Sequence, residues 1–371
     1  MTMQMQPQPY QRETLHTDDS PIFVCGSSRS GTALVRSILN AHSTIHIAGE
    51  THYFDDLRIR LGEYAHKPLD ADQQKIAQDY FLAISHRPYG HQGDPEKGRI
   101  NRTDLADLAH ELGDSGDAYL KAFCQLEARQ NKKARWGEKT PRHMFRIADI
   151  LKAYPNAKVI CLVRDPRAIV ASYRDWHNQG GFDLNADPTH AQALKVAEKR
   201  ARKSYHPLIL SILWKGAIQA ALESQRAFGT DRVRLQRYEH LAFEPEEDIK
   251  DLAAWLELDY EPAMASPPMH NSSYNKFEQQ AGVSAAPVER WKKKLSPGEI
   301  ATVESFCGPL LQELDYELLK PRGTLLRVGI SYATLPYCAF RAALVNRERI
   351  PNLPAYIARR VMLAMGLGKR A

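Results

Sequence analysis

The stretch PIFVCGSSRSGTALVRSIL, from Pro21 to Leu39, constrains the fold more than any other part of the chain. Ile22 to Val24 is a short apolar run of the length expected for a buried strand. Gly26, Ser27, Ser28, Arg29, Ser30 and Gly31 follow as a loop of small residues around one cation. Ala33, Leu34, Val35, Ile38 and Leu39 then recur at helical spacing. Strand, loop and helix in that order turn backbone N–H groups and a helix N-terminus toward an anion. Gly26 and Gly31 have the spacing of a Walker A loop, yet Thr32 stands where that motif needs Lys, and Ala33 where it needs the Mg²⁺-binding hydroxyl. The loop therefore reads as a cradle for a phosphate-like group, built from Arg29, Ser30, Gly31, Thr32 and Ala33. Sterics alone, in a plain strand-to-helix turn, would also account for its glycines and serines.

Further strands end on residues with chemistry. Thr44 to Ala48 reads as a strand running into Glu50, and a carboxylate in that place can act as a base or simply face solvent. In RWGEKTPRH, Lys139 precedes Thr140 and Pro141, which puts it in extended backbone before a helix beginning near Arg142. A cation there can neutralise charge growing on a bound anion, or be solvated in a turn. Ala157 to Val163 is the strongest strand signal, followed by Arg164, an Asp165 cap and Pro166 in the first turn of a helix. Arg164 can make paired bonds to a phosphate. Ser172, eight residues on, reaches the same group only if that helix flanks the site. Asp165 after an apolar strand also permits a Walker B reading, against which the missing Lys of the first loop argues. Arg232 to Arg237 is another strand, ending at Tyr238, which either stacks on a base or packs.

Longer helices are expected over Asp117–Asn131, His206–Phe228, Glu246–Leu256 and Ser296–Leu314. Strands and helices alternating in this way predict a three-layer, P-loop-like α/β domain over residues 21–320, with a central parallel sheet. Polar stretches at about 66–116 and 180–205 read as helical insertions, and residues 1–20 as a disordered leader without an apolar signal core. Five scattered cysteines without CxxC spacing suit a reduced compartment and give neither a zinc site nor a disulfide framework, so a cytoplasmic protein is expected. No uninterrupted apolar run approaches the ~20 residues that span a bilayer. Residues 321–371 carry nine Lys plus Arg against one acidic residue, or +8 of the total +6, leaving −2 for the first 320. This basic extension has two readings: a helical element packed on the body, or an interfacial amphipathic segment holding the protein against the inner membrane face.

Together these residues resemble the sulfotransferases that use 3′-phosphoadenosine-5′-phosphosulfate (PAPS), within them most nearly the bacterial relatives of the protein-tyrosine sulfotransferase-like group. RSGTA matches the family's 5′-phosphosulfate loop and VRDPRAIVASY its 3′-phosphate element. The resemblance implies that Arg164 and Ser172 hold the 3′-phosphate. It implies Glu50 as base, Arg29 and Lys139 on the departing phosphate, and Tyr238, from YEHLAFEP, near the adenine. It further implies an acceptor with a hydroxyl (a sugar, a lipid-linked glycan, a small alcohol or phenol, or a tyrosine), no required metal and no nucleic acid. A homodimer stays open. Ala33 in place of a second loop Thr, and Trp176 in place of a further phosphate-binding Arg, depart from the pattern. The rival readings are a P-loop kinase-like phosphotransferase and a non-catalytic nucleotide-binding or membrane-associated protein.

Overall fold

The computed structural model describes residues 19–86, 93–176, 188–267 and 282–347, with single positions at 354, 358 and 362. Five strands, β1 (Ile22–Gly26), β2 (Ile45–Ala48), β3 (Arg135–Lys139), β4 (Lys158–Val163) and β5 (Val233–Arg237), make one parallel sheet in the order β2-β3-β1-β4-β5. The longer helices are α1 (Thr32–Ala41), α2 (Ala71–Ser85), α3 (Arg102–Glu111), α4 (Gly116–Gln130), α5 (Pro166–Trp176), α6 (Pro188–Ser204), α7 (Pro207–Phe228), α8 (Pro245–Trp255), α9 (Pro297–Glu313) and α10 (Leu325–Asn346).

Side-chain alternation along β1 generates the layers. Phe23 and Cys25 point into one core with Trp136, Tyr53, Phe81 and Phe123. Ile22 and Val24 point the other way, into a core with Val35 and Ile38 of α1 and Ile249 and Leu252 of α8. A parallel sheet buries both faces, so its strands read as apolar runs rather than alternating ones. The fold is the three-layer α/β architecture with a central parallel sheet. A further cluster joins α5, α7 and α9 around Trp214, Trp291 and Val303. Ser296 and Glu299 close a capping box at the start of α9.

β3 is the strand that the sequence hides. Three of its five residues are charged, yet all five are buried. Arg135 donates to the carbonyls of Ser20 and Leu256, each at 2.7 Å, so its charge is met by partners far away in the chain. Gly137 packs against the Ile22 carbonyl so closely that a Cβ there would collide with it. The helix expected near Arg142 is a 3₁₀ turn, Pro141–Phe145, followed by a helix at Ile147–Ala153.

The stretch 66–116, read as an insertion, supplies α2 and α3, whose Phe81, Leu82 and Leu105 belong to the same core as Phe23. Within the second stretch, α6 begins at Pro188. The leader through residue 18 and residues 177–187 lie outside the described residues. α10 is the one helix among the described residues long and apolar enough to cross a membrane by length and composition, although Arg327 and Arg341 interrupt its apolar run.

Candidate active site

The loop between β1 and α1 holds backbone conformations that explain its composition. Gly31 sits at φ 105° as the N-cap of α1 and offers no side chain to cap it. The first N–H groups of the helix are therefore left for an outside acceptor. A Cβ on Gly31 would stand 2.5 Å from the Tyr238 ring, so only glycine lets the loop pass there. Arg29 also takes a left-handed conformation, φ 72°. The hydroxyls of Ser27 and Ser30 are buried without a hydrogen-bond partner. A buried hydroxyl without a partner costs free energy unless a ligand or water meets it.

Around the loop, Arg29 Nε donates to Ser172 Oγ at 3.1 Å, which places the two-turn reach of α5 on the loop itself. Arg164 Nη1 donates to the Arg29 carbonyl at 2.9 Å and Nη2 to the Pro287 carbonyl at 3.3 Å, while Nε is buried without a partner. The Arg164 guanidinium lies 4.1 Å from the centre of the Tyr238 ring, a cation–π distance. Tyr238 is 6% exposed. Its ring is therefore packed between Gly31 and Arg164 rather than standing open. Asp165 accepts from the Arg167 N–H at 2.7 Å and pairs with that guanidinium, which also reaches Glu304 at 2.6 Å, so Asp165 is occupied as a cap and ion-pair partner.

On the other side of β1, Lys139 Nζ donates to Glu50 Oε1 at 2.6 Å, and His52 Nε2 lies 3.4 Å from Glu50 Oε2. Burial of the Glu50 carboxyl opposes its ionisation, but the hydrogen bonds and charges of His52 and Lys139 outweigh this and hold it well below the ordinary carboxylate range. Glu138, one residue before Lys139, points to the opposite face and accepts from the Thr51 N–H and Oγ1, each at 3.0 Å, from Thr140 Oγ1 and from His143 Nδ1. Its burial is likewise outweighed by His143, Thr140 and Thr51, and its carboxyl is held low.

The sheet gives these groups a common address. Glu50 follows β2, Lys139 ends β3, the glycine loop follows β1, Arg164 follows β4 and Tyr238 follows β5. All five lie at the carboxyl ends of parallel strands, and the connections reverse direction at β1. A crevice at such a reversal is where open α/β sheets bind ligands. The cations Arg29 and Arg164 and the start of α1 crowd the centre, and a carboxylate stands at one side. Among the described residues no group of three or more His, Cys, Asp or Glu is placed to hold a metal ion.

A model of the sulfotransferase family matches residues 21–262, from the start of β1 past β5. The chain belongs to the sulfotransferase family. It is a transferase of sulfur-containing groups. Nodulation protein NoeE of Sinorhizobium fredii is 28% identical over 315 residues, covering 81% of this chain and 68% of that protein. The protein-tyrosine sulfotransferase of Drosophila melanogaster is 23% identical over 313 residues, or 80% of this chain; the chain spans about half (51%) of that relative's length. Among solved structures, the sulfotransferase domain of the Synechococcus PCC 7002 olefin synthase covers 84% of this chain and aligns over 100% of its own, at 18% identity and a TM-score of 0.48.

Two features of this sulfotransferase escape the sequence. His52 contacts Glu50 from a left-handed position, φ 55°, and no local pattern announces it. The Glu138 cluster does leave a signal in the sequence: Glu138, Lys139 and Thr140 before Pro141 put polar groups on both faces of an extended segment.

Proposed function

We propose that this sulfotransferase moves the sulfuryl group of PAPS onto the hydroxyl of an acceptor, with Glu50 as the base. The reading is carried by one observation: the anion cradle of β1–α1 and the Glu50–Lys139 pair open on the same carboxyl edge of the sheet. PAPS supplies a sulfuryl group whose departing partner is a phosphate, so the protein has to bind anions and accept one proton. The uncapped start of α1, with the N–H groups of Thr32 and Ala33, and the unpartnered hydroxyls of Ser27 and Ser30 suit the 5′-phosphosulfate. Arg29 adds a cation at that point. Arg164, with a buried N–H still unmet, and Ser172 suit the 3′-phosphate. Tyr238 sets the plane of Arg164 and the path of the loop; its buried ring offers the adenine an edge rather than a stacking face.

Lys139 has two duties. Together with His52, it keeps the Glu50 carboxylate ionised but weakly basic. Drawn instead to the phosphate side of a bound donor, it would stabilise charge growing there and leave Glu50 to His52 alone, so the Glu50 pKa would rise in the direction of a working base. Proton transfer from the acceptor hydroxyl to Glu50 thus becomes favourable only when the donor is in place. The acceptor is a hydroxyl compound, whether sugar, lipid-linked glycan, small alcohol, phenol or tyrosine.

A thermal-shift titration with 3′-phosphoadenosine-5′-phosphate, ADP and Mg·ATP tests the donor. A ligand at 100 times its dissociation constant adds about 2.7 kcal/mol to stability. Stabilisation by the 3′-phosphorylated nucleotide alone, without metal, is expected. Stabilisation by Mg·ATP in its place would overturn the reading in favour of a kinase.

A further inference from the structure

We propose that α10 is a membrane-docking surface whose outer face seats the protein on an anionic lipid bilayer, lying in the interface rather than crossing it. The helix lies outside the part of the chain matched by the family, and the proposed transfer chemistry does not use it. Leu326, Ile330, Ala333, Tyr337, Phe340 and Leu344 recur at intervals of four and three, which on a helix is a single stripe. That stripe faces away from the body: Leu326 is 77% exposed, Tyr337 66% and Phe340 63%. A contiguous apolar patch of this kind marks a contact surface rather than scattered surface residues.

The inner side explains why the helix lies flat. Thr302 Oγ1 donates to Ser331 Oγ at 3.3 Å, Asn346 Nδ2 to Ser204 Oγ at 3.0 Å, and Ala343 is buried. These contacts run along the helix and hold it lengthwise on α6 and α9. A partner therefore meets its side, and a bilayer could not enclose it while it is docked.

Charge selects the partner. Arg327 and Arg341 are the only charged residues of α10, and by helical spacing they stand on the flank of the stripe. Residues 321–371 as a whole carry nine basic side chains against Glu348. A second copy on the same stripe would bring two such segments together, whereas anionic headgroups neutralise them. An apolar face with aromatic residues and a basic flank is the make-up of an interfacial helix. Tyr337, on the stripe and exposed, suits headgroup depth.

The test uses the full chain and co-sedimentation with phosphatidylcholine vesicles, with and without phosphatidylglycerol. The wild type should pellet with the phosphatidylglycerol vesicles, and less as salt is raised. The double variant Ile330→Glu/Phe340→Glu should partition at least about tenfold more weakly, with an unchanged melting temperature, because both side chains are exposed. Equal pelleting of variant and wild type, or wild-type pelleting indifferent to phosphatidylglycerol, would overturn the proposal. So would a wild-type dimer without lipid, by light scattering, that the double variant turns into a monomer. Should the variant not fold, the wild-type comparison of the two vesicle types and its salt dependence decide the matter alone.

Discussion

Glu50 and Glu138 stand at the ends of neighbouring strands, and the Glu138 position pairs in register with Ala48, two residues before Glu50. Both carboxyls are held below their ordinary range, yet by different surroundings. The Glu138 side chain is 1% exposed and takes hydrogen bonds from Thr51, Thr140 and His143. Its acceptor sites are filled by groups that cannot leave. The Glu50 side chain is 42% exposed and is held by two side chains, Lys139 and His52. A carboxylate of the first kind fixes loops in place. One of the second kind can give up a partner and take a proton.

Glu50→Gln should lower turnover by about 10²–10⁴-fold, the usual size of a general-base contribution. Nucleotide affinity should stay unchanged, and because the group is partly exposed, stability should move by less than about 1 kcal/mol. Steady-state rates and urea unfolding check both halves; turnover near the wild-type rate would remove Glu50 as base. Glu138→Ala should do the converse. Stranding the buried donors of Thr51, Thr140 and His143 should cost about 3 kcal/mol or more, read as a lower urea midpoint.

The pH dependence of stability separates the two sites further. A carboxyl lowered in the folded state contributes stability that is fully present above its ordinary value of 4.5 and is lost as the pH falls below it. Glu138→Gln removes that contribution, so its stability should depend less steeply on pH in this acid range than the wild type's. An unchanged slope would mean that Glu138 is not held low. Lys139→Met takes away the cation beside Glu50, so the Glu50 pKa should rise and the acid limb of the remaining activity should move to higher pH. A fixed acid limb would assign that limb to another group. The smallest effect is expected for Ser172→Ala, which removes one hydroxyl near Arg29 and should weaken 3′-phosphoadenosine-5′-phosphate by about 1 kcal/mol, or roughly fivefold, in calorimetry. Unaltered affinity would take Ser172 out of the nucleotide site.

Much of this edge is legible in the chain. β1, its glycine loop and α1 are contiguous, and each follows from local rules: a short apolar run, small residues and helical spacing. β4 and the Asp165 cap of α5 are read in the same way. β3 is not, because Arg135, Glu138 and Lys139 would be costly in a buried strand without partners, and those partners are the carbonyls of Ser20 and Leu256, the Thr51 and His143 side chains, and Glu50. α2 and α3 also look detachable in sequence, since their polar faces dilute the signal of Phe81 and Leu105.

The sequence by itself determined the glycine loop after β1, the strand ends that carry Glu50, Arg164 and Tyr238, and the alternation that yields a parallel α/β sheet. Only the tertiary structure decided that Lys139 faces Glu50 while Glu138 turns away, that Ser172 meets Arg29, that Tyr238 is packed rather than open, and that the apolar stripe of α10 is exposed among the described residues. The reason is range. Backbone preference and periodicity act over a few residues, whereas the partner of a buried charge, and the cover of an apolar face, come from segments that folding alone brings together.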